Sequence, residues 1–227
     1  IHVSYENISR MCQYAHTYKA EGLLNTDWGD CGHINHPDFS LPGMIYGAAF
    51  SWNLDIPEFE DMNHQISRIA YGDETETLVS LLARISESWK FTWRNTVDWM
   101  EQGKLQLLHN AEIYENAVMA LEQIKTELYQ SVTNLPTTQR GQIHAYLIAV
   151  QGMILLQKIG KVLAENDAAS GKTVNGKAGK EEYRKLAEAL EYWLYDYKEL
   201  WRTTSREAEL FRIEHVICAY ADWLRSI

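Results

Sequence analysis

The residues best suited to chemistry in this chain lie close together near its beginning. The stretch GLLNTDWGDCGHINH, residues 22–36, carries Asp27, Trp28 and Asp30 and then a cysteine and two histidines. The face of a tryptophan ring can pack on a sugar ring, and a neighbouring carboxylate can accept hydrogen bonds from sugar hydroxyls. The pattern suggests a carbohydrate subsite. The alternative is that Trp28 packs against the following helix and that the two aspartates cap turns.

The same stretch offers a second chemistry, because Cys31, His33 and His36 next to Asp30 are ligand types that zinc accepts. No further cluster such as CxxC or HExxH completes a set of four ligands. We therefore expect no metal site and no cofactor. A small metalloprotein built on this loop remains an alternative interpretation.

The elements that would position these residues follow from spacing and from glycine and proline signals. Apolar residues at helical spacing predict a helix over 5–21 that ends at Gly22, and the short run after it predicts a strand over 23–27. A second helix begins near 40, with Ser40 as N-cap and Pro42 in its first turn. The small residues of that helix predict close packing against a sheet. In α/β folds, ligands bind at the loops that follow strands, which is where residues 28–36 fall.

The rest of the chain has helical periodicity and offers no partner for this strand. A lone strand leaves its backbone groups unpaired, so the predicted strand needs neighbours. The pattern predicts a mainly α protein, in which a helical bundle follows the tail of an α/β unit. The predicted helices cover residues 57–71, 74–101, 108–132, 138–165 and 180–225, the last broken near 203–205.

Two aromatic patterns within these helices predict core seams. Trp89, Trp93 and Met100 share one predicted stripe, with Trp99 nearby, and Trp193, Tyr197 and Trp201 recur every four residues. If the first stripe faced solvent instead, the chain would be a free-standing helical module that binds carbohydrate or protein. That alternative predicts solvent exposure of Trp89, Trp93 or Trp99.

Charge and composition narrow the classes of partner. The net charge of −10 leaves no basic surplus to neutralise phosphates, so nucleic acid is not an expected partner. No uninterrupted apolar run approaches the roughly 20 residues of a membrane span, and no secretion signal is recognisable. The three cysteines are widely spaced and odd in number, so they define no disulfide framework.

The motifs EGLLNTDWGDCGH and LPGMIYGAAFSWN resemble the last strand and last helix of the (β/α)8 barrel in family 20 glycoside hydrolases, the β-N-acetylhexosaminidases. Trp28 and Asp30 match a tryptophan followed two residues later by an acid, where the family usually has glutamate. Pro42, Ala48, Ala49 and Trp52 match the helix. The final stretch, over about 192–225, is similar to the helical C-terminal extension of bacterial members.

The resemblance implies removal of terminal β-linked N-acetylhexosamine by substrate-assisted catalysis, in which the acetamido oxygen of the substrate attacks the anomeric carbon. It implies Trp28, Asp30 and Asp27 as substrate-binding residues. The family's catalytic Asp-Glu pair belongs to the fourth barrel strand, which this chain does not contain. We therefore expect no catalytic residue in this chain and no turnover by the chain alone.

The expected architecture is a helical bundle preceded by the last helix-strand-helix unit of a (β/α)8 barrel, with 1–53 as the barrel part and 54–227 as the bundle. The chain would be the C-terminal piece of a larger hydrolase, supporting the barrel or extending the substrate cleft. Its expected partners are an N-acetylhexosamine-containing glycan and the N-terminal barrel portion of the same protein. An extracellular, periplasmic or cell-surface location would suit such an enzyme.

Overall fold

The computed structural model describes residues 1–28, 34–53, 55–166 and 177–227. Every regular element in these ranges is a helix, which confirms the prediction of a mainly α protein. The α-helices are α1 His2–Thr17, α2 Leu41–Trp52, α3 Phe59–Tyr71, α4 Leu78–Glu87, α5 Trp93–Gln102, α6 Ala111–Ser131, α7 Arg140–Glu165, α8 Lys177–Thr204 and α9 Leu210–Ser226. Short 3₁₀ helices cover Pro37–Ser40, Val132–Asn134 and Glu207–Glu209.

Two compact units divide the chain, and α6 and α7 contribute residues to both. The first unit comprises Ile1–Gly29, Asn35–Glu87 and Thr126–Tyr146, and the second comprises Asp30–Ile34, Ser88–Lys125 and Leu147–Ile227. The domains expected from the sequence, 1–53 and 54–227, stay a prediction.

In the first unit, α1 packs on α2 and α3 packs on α4. Tyr5 of α1 lies edge-on to the rings of Tyr46 and Phe50 in α2, at 5.6 Å from each, and also contacts Phe59. Between α3 and α4, the buried carboxylate of Asp73 accepts hydrogen bonds from the N–H groups of Thr77 and Leu78. This carboxylate satisfies donors that the first turn of α4 would otherwise leave unpaired.

The second unit is held by α8 and α9, which pack along each other, and by buried residues of α5, α6 and α7. Gly152 of α7 permits a close approach of α8, since a β-carbon there would lie 2.6 Å from Cε2 of Trp193. The Trp193 indole N–H donates to the Ile148 carbonyl at 2.8 Å, so this ring is both packed and hydrogen-bonded.

The predicted strand over 23–27 is wrong: residues 22–28 form neither helix nor strand. A strand needs a neighbouring strand to pair its backbone groups, and no described residue supplies one. The first helix also ends earlier than predicted, at Thr17, with Lys19 at a positive φ of 54° instead of a stop at Gly22.

The single helix predicted over 74–101 is two helices, α4 and α5, separated by residues 88–92. A capping box starts α5: the Thr92 hydroxyl accepts from the Asn95 N–H, and the Asn95 side chain accepts from the Thr92 N–H. The buried Gln157 holds the connection, accepting hydrogen bonds from the N–H groups of Lys90 and Phe91 and donating to the Phe91 carbonyl at 2.7 Å. Trp89 therefore lies outside the helix that carries Trp93.

Helix α7 is the one described helix that is long and apolar enough to cross a membrane by length and composition. In the structure, 61% of its apolar window is buried. A buried core helix meets the same criterion, so this composition carries no conclusion about a membrane.

Candidate functional site

The candidate site is the segment between α1 and α2, residues 18–40, which carries the predicted sugar-binding residues. Asn25 attaches the segment to α2 by donating from its side-chain amide to the Gly43 carbonyl at 3.0 Å. Gly47 makes room for this contact, because a β-carbon there would lie 2.2 Å from the Asn25 amide nitrogen. The small residues of α2 therefore serve close packing, but against this segment and not against a sheet.

Asp27 is held by the start of α2, where the hydroxyl of Ser40 donates to one of its carboxylate oxygens. Ser40 precedes α2, as predicted for an N-cap, yet its side chain makes no capping hydrogen bond. The Asp27 side chain remains exposed, so its carboxylate keeps acceptor capacity toward solvent or a ligand. No sequence pattern signals Ser40 as a partner of Asp27.

Trp28 projects into solvent with 77% of its surface exposed. Its indole N–H donates to the Thr26 hydroxyl at 3.0 Å, which restricts the ring's orientation. A tryptophan that is fixed at its edge and open on its face suits packing against a flat apolar surface such as a sugar ring. Leu24 of the same segment is 85% exposed.

Asp30, Cys31 and His33 lie outside the described residues. The remaining candidate ligand, His36, is buried, and its Nδ1 accepts a hydrogen bond from the Asp38 N–H. Burial lowers the pKa of His36, which favours the neutral ring, against the opposing effect of the Asp38 carboxylate. In the part of the chain that the structure describes, no three His, Cys, Asp or Glu side chains gather as a metal site would require.

A buried tyrosine pair fixes the turn that follows the site. Tyr146 donates to the Asp38 carbonyl at 3.1 Å, and its hydroxyl lies 3.3 Å from that of Tyr71. Phe39 packs on the Tyr146 ring at 4.8 Å. Burial raises the pKa of both tyrosines, so they act as neutral anchors. Nothing in the sequence pattern signals this contact, which joins residues 108 positions apart.

The aromatic stripe of the alternative interpretation is not an open surface. Trp93 is buried, while Trp89 and Trp99 are each half-buried. The Trp99 ring lies 4.8 Å from that of Tyr220 and 4.9 Å from that of Trp223, inside an aromatic cluster of the second unit. The predicted seam of α8 is confirmed for its first two members, because Trp193 and Tyr197 are buried and stacked.

Comparison with known proteins adds no relative: no protein-family model, no curated protein and no solved structure matches this chain.

Proposed function

We propose that this chain is the C-terminal part of a family 20-like glycoside hydrolase that removes β-linked N-acetylhexosamine residues. In this proposal residues 1–53 derive from the end of the (β/α)8 barrel, and the following helices support the barrel or extend its substrate cleft. The observation that carries the proposal is the exposure of Leu24 and Trp28 on an unpaired segment. In a complete barrel, neighbouring strands would cover this segment. In an isolated barrel end those strands are missing, so the segment would be exposed.

The exposed apolar side chains of residues 1–53 support the same interpretation. Eight of the fifteen exposed large hydrophobic side chains among the described residues lie within 1–53. They are Val3, Met11, Tyr14, Tyr18, Leu24, Trp28, Met44 and Trp52. Four of them belong to α1 or its cap, and Cys12 is the one buried residue of that helix. Exposed apolar side chains concentrated in one part of the chain are typical of a region that another part of a protein covers.

The chemistry of the segment fits a sugar subsite and not a catalytic centre. Trp28 would pack on the pyranose ring, and the Asp27 carboxylate would accept hydrogen bonds from its hydroxyls. By the resemblance, Asp30 would bind hydroxyls as well. The proton donor and the residue that orients the acetamido group would come from the barrel portion, so the chain alone would give no turnover.

The test uses the protein translated from the complete reading frame, assayed with p-nitrophenyl N-acetyl-β-glucosaminide. Trp28→Ala should lower kcat/KM by about 10- to 100-fold, because it removes the face on which the sugar packs. Phe211→Ala is the matched control, since Phe211 is an exposed aromatic of α9. It should leave kcat/KM unchanged.

Two results would contradict the proposal. One is a complete gene product that does not hydrolyse the substrate while remaining folded by circular dichroism. The other is an active enzyme in which Trp28→Ala behaves like Phe211→Ala.

A further inference from the structure

We propose that a groove on the second unit, formed by α8 and the end of α9, is a binding site for an uncharged oligosaccharide. The groove has a volume of about 880 Å³ and is open to solvent. Its lining consists of Arg184, Glu188, Glu191, Tyr192, Tyr195 and Arg225. Trp28 is not among these lining residues, and the proposal does not depend on the proposed hydrolase function.

The spacing of the lining residues places them on one face of α8. Arg184, Glu188, Glu191 or Tyr192, and Tyr195 follow each other at intervals of three or four residues, the repeat of a helix face. From the first to the last they extend over about 16 Å along the helix. That length accommodates a short oligosaccharide and exceeds a single sugar.

The two tyrosines supply the apolar part of the site. Tyr192 is 69% exposed and Tyr195 is 68% exposed, whereas Trp193 and Leu194 between them are buried in the core. The exposed rings are thus not the packing seam of α8. Their faces can pack against the C–H face of a pyranose, and their hydroxyl groups remain free to hydrogen-bond.

The four charged side chains of the groove fall into two pairs: one pair is joined by an ion pair, and the other has no partner within the described part of the chain. Arg225 forms a two-point ion pair with Glu191, with Nη1 2.7 Å from Oε1 and Nη2 2.5 Å from Oε2. This hydrogen bonding lowers the pKa of Glu191, so the pair stays charged at neutral pH. Arg184 and Glu188 have no ionic or hydrogen-bonding partner among the residues described. They are free to donate to, and accept from, a ligand's hydroxyls.

The charges of the lining residues bear on the class of ligand. Two arginines and two glutamates line the groove, and Asp222 also contacts Arg225, with its Oδ1 3.4 Å from Nη1, in a chain whose net charge is −10. A site without surplus positive charge, on an acidic chain, does not attract a phosphate or a nucleic acid by charge. The tyrosine rings offer flat apolar faces, and Arg184 and Glu188 offer a hydrogen-bond donor and an acceptor. This combination favours a neutral polyhydroxylated ligand.

The test is a calorimetric titration of the chain with three uncharged trisaccharides: cellotriose, maltotriose and N-acetylated chitotriose. We expect at least one to bind with a dissociation constant on the order of 1 mM or tighter. Tyr192→Ala and Tyr195→Ala should each weaken that binding by about tenfold. Tyr129→Ala, which alters an exposed tyrosine on α6, is the matched control and should leave the dissociation constant unchanged.

Further results separate this proposal from the hydrolase proposal and decide it. Trp28→Ala should leave this binding unchanged, so failure of the hydrolase proposal and failure of this one can be told apart. The proposal is overturned if none of the three trisaccharides saturates the chain, or if the Tyr192 and Tyr195 variants bind like the control. It is also overturned if inorganic phosphate or a trimeric uronic acid binds the groove more tightly than the neutral sugars.

Discussion

Helices α1 and α9 are almost equal in length but use their apolar residues in opposite ways. Helix α1 has 16 residues and buries Cys12 alone, whereas α9 has 17 residues and buries seven. Two tryptophans show the same contrast. Trp28, in the segment after α1, is 77% exposed, whereas Trp193 of α8, the helix that packs along α9, is 8% exposed. Apolar residues at helical spacing therefore identify a helix, but they do not show whether other residues of the same chain pack against its apolar side.

Hydrogen bonding explains how the exposed region still holds a defined conformation. Asn25 contacts Gly43, Ser40 contacts Asp27, and Tyr146 contacts the Asp38 carbonyl. Polar contacts therefore hold the conformation of the segment before α2. Within the second unit, packing of buried aromatic and aliphatic side chains has this role. Substitutions in the two regions should differ accordingly in their effect on stability.

The largest expected effect is at Trp193. Trp193→Ala should lower the free energy of unfolding by about 3–5 kcal/mol, since it leaves a cavity and removes the hydrogen bond to Ile148. Trp28→Ala should change it by less than about 0.5 kcal/mol, because solvent already surrounds that ring. Urea denaturation of both variants measures the contrast. Equal losses of stability would show that the two regions are not packed as described.

A smaller effect is expected at Gly152. Gly152→Ala should destabilise the protein by about 1–3 kcal/mol, because the added methyl group meets the Trp193 ring. Gly141→Ala in the same helix is the control, since no atom beyond its chain neighbours and its own helix backbone lies within 4 Å of the added group. It should stabilise the protein by up to about 1 kcal/mol through helix propensity. If both variants unfolded at the same denaturant concentration, α8 would not approach α7 as closely as the structure has it.

The smallest expected effect concerns His36, the buried histidine of the otherwise exposed region. Its pKa is lowered in the folded protein by burial, so the unfolded chain takes up a proton more readily. The stabilising effect is complete above the unfolded pKa of about 6.5 and is lost as the pH falls through that value toward the folded pKa. His36→Asn keeps an acceptor for the Asp38 N–H but does not titrate.

The measurement is urea denaturation of both proteins at pH values from about 7.5 down to about 5. Wild type should lose more stability than His36→Asn over this interval. Parallel curves for the two proteins would indicate that His36 is not buried in solution.

The sequence predicted the elements whose periodicity is local and missed those that depend on distant contacts. Helices expected over 108–132 and 138–165 occur as Ala111–Ser131 and Arg140–Glu165. The break before α5 was missed, although Thr92 and Asn95 form a recognisable capping pattern, and Gln157 holds the break from 66 residues away. No local pattern carries a contact of that separation.

The candidate site was predictable in its residue types and not in its geometry. An exposed tryptophan beside a carboxylate could be anticipated from DWGD, and Trp28 and Asp27 are both exposed. The bond from Ser40 to Asp27 could not, because helix-cap rules assign the serine hydroxyl to its own helix. The strand was mispredicted because composition favours an extended conformation without supplying a partner strand.

The most direct test of the proposed origin of residues 1–53 is the sequence of the gene upstream of the codon for Ile1. The proposal predicts an open reading frame of several hundred further codons, encoding alternating strands and helices and an Asp-Glu pair at the end of a strand. A start codon at or just before Ile1 would contradict it. In that case the exposed side chains of α1 and the segment after it would need a covering partner other than a barrel of the same chain.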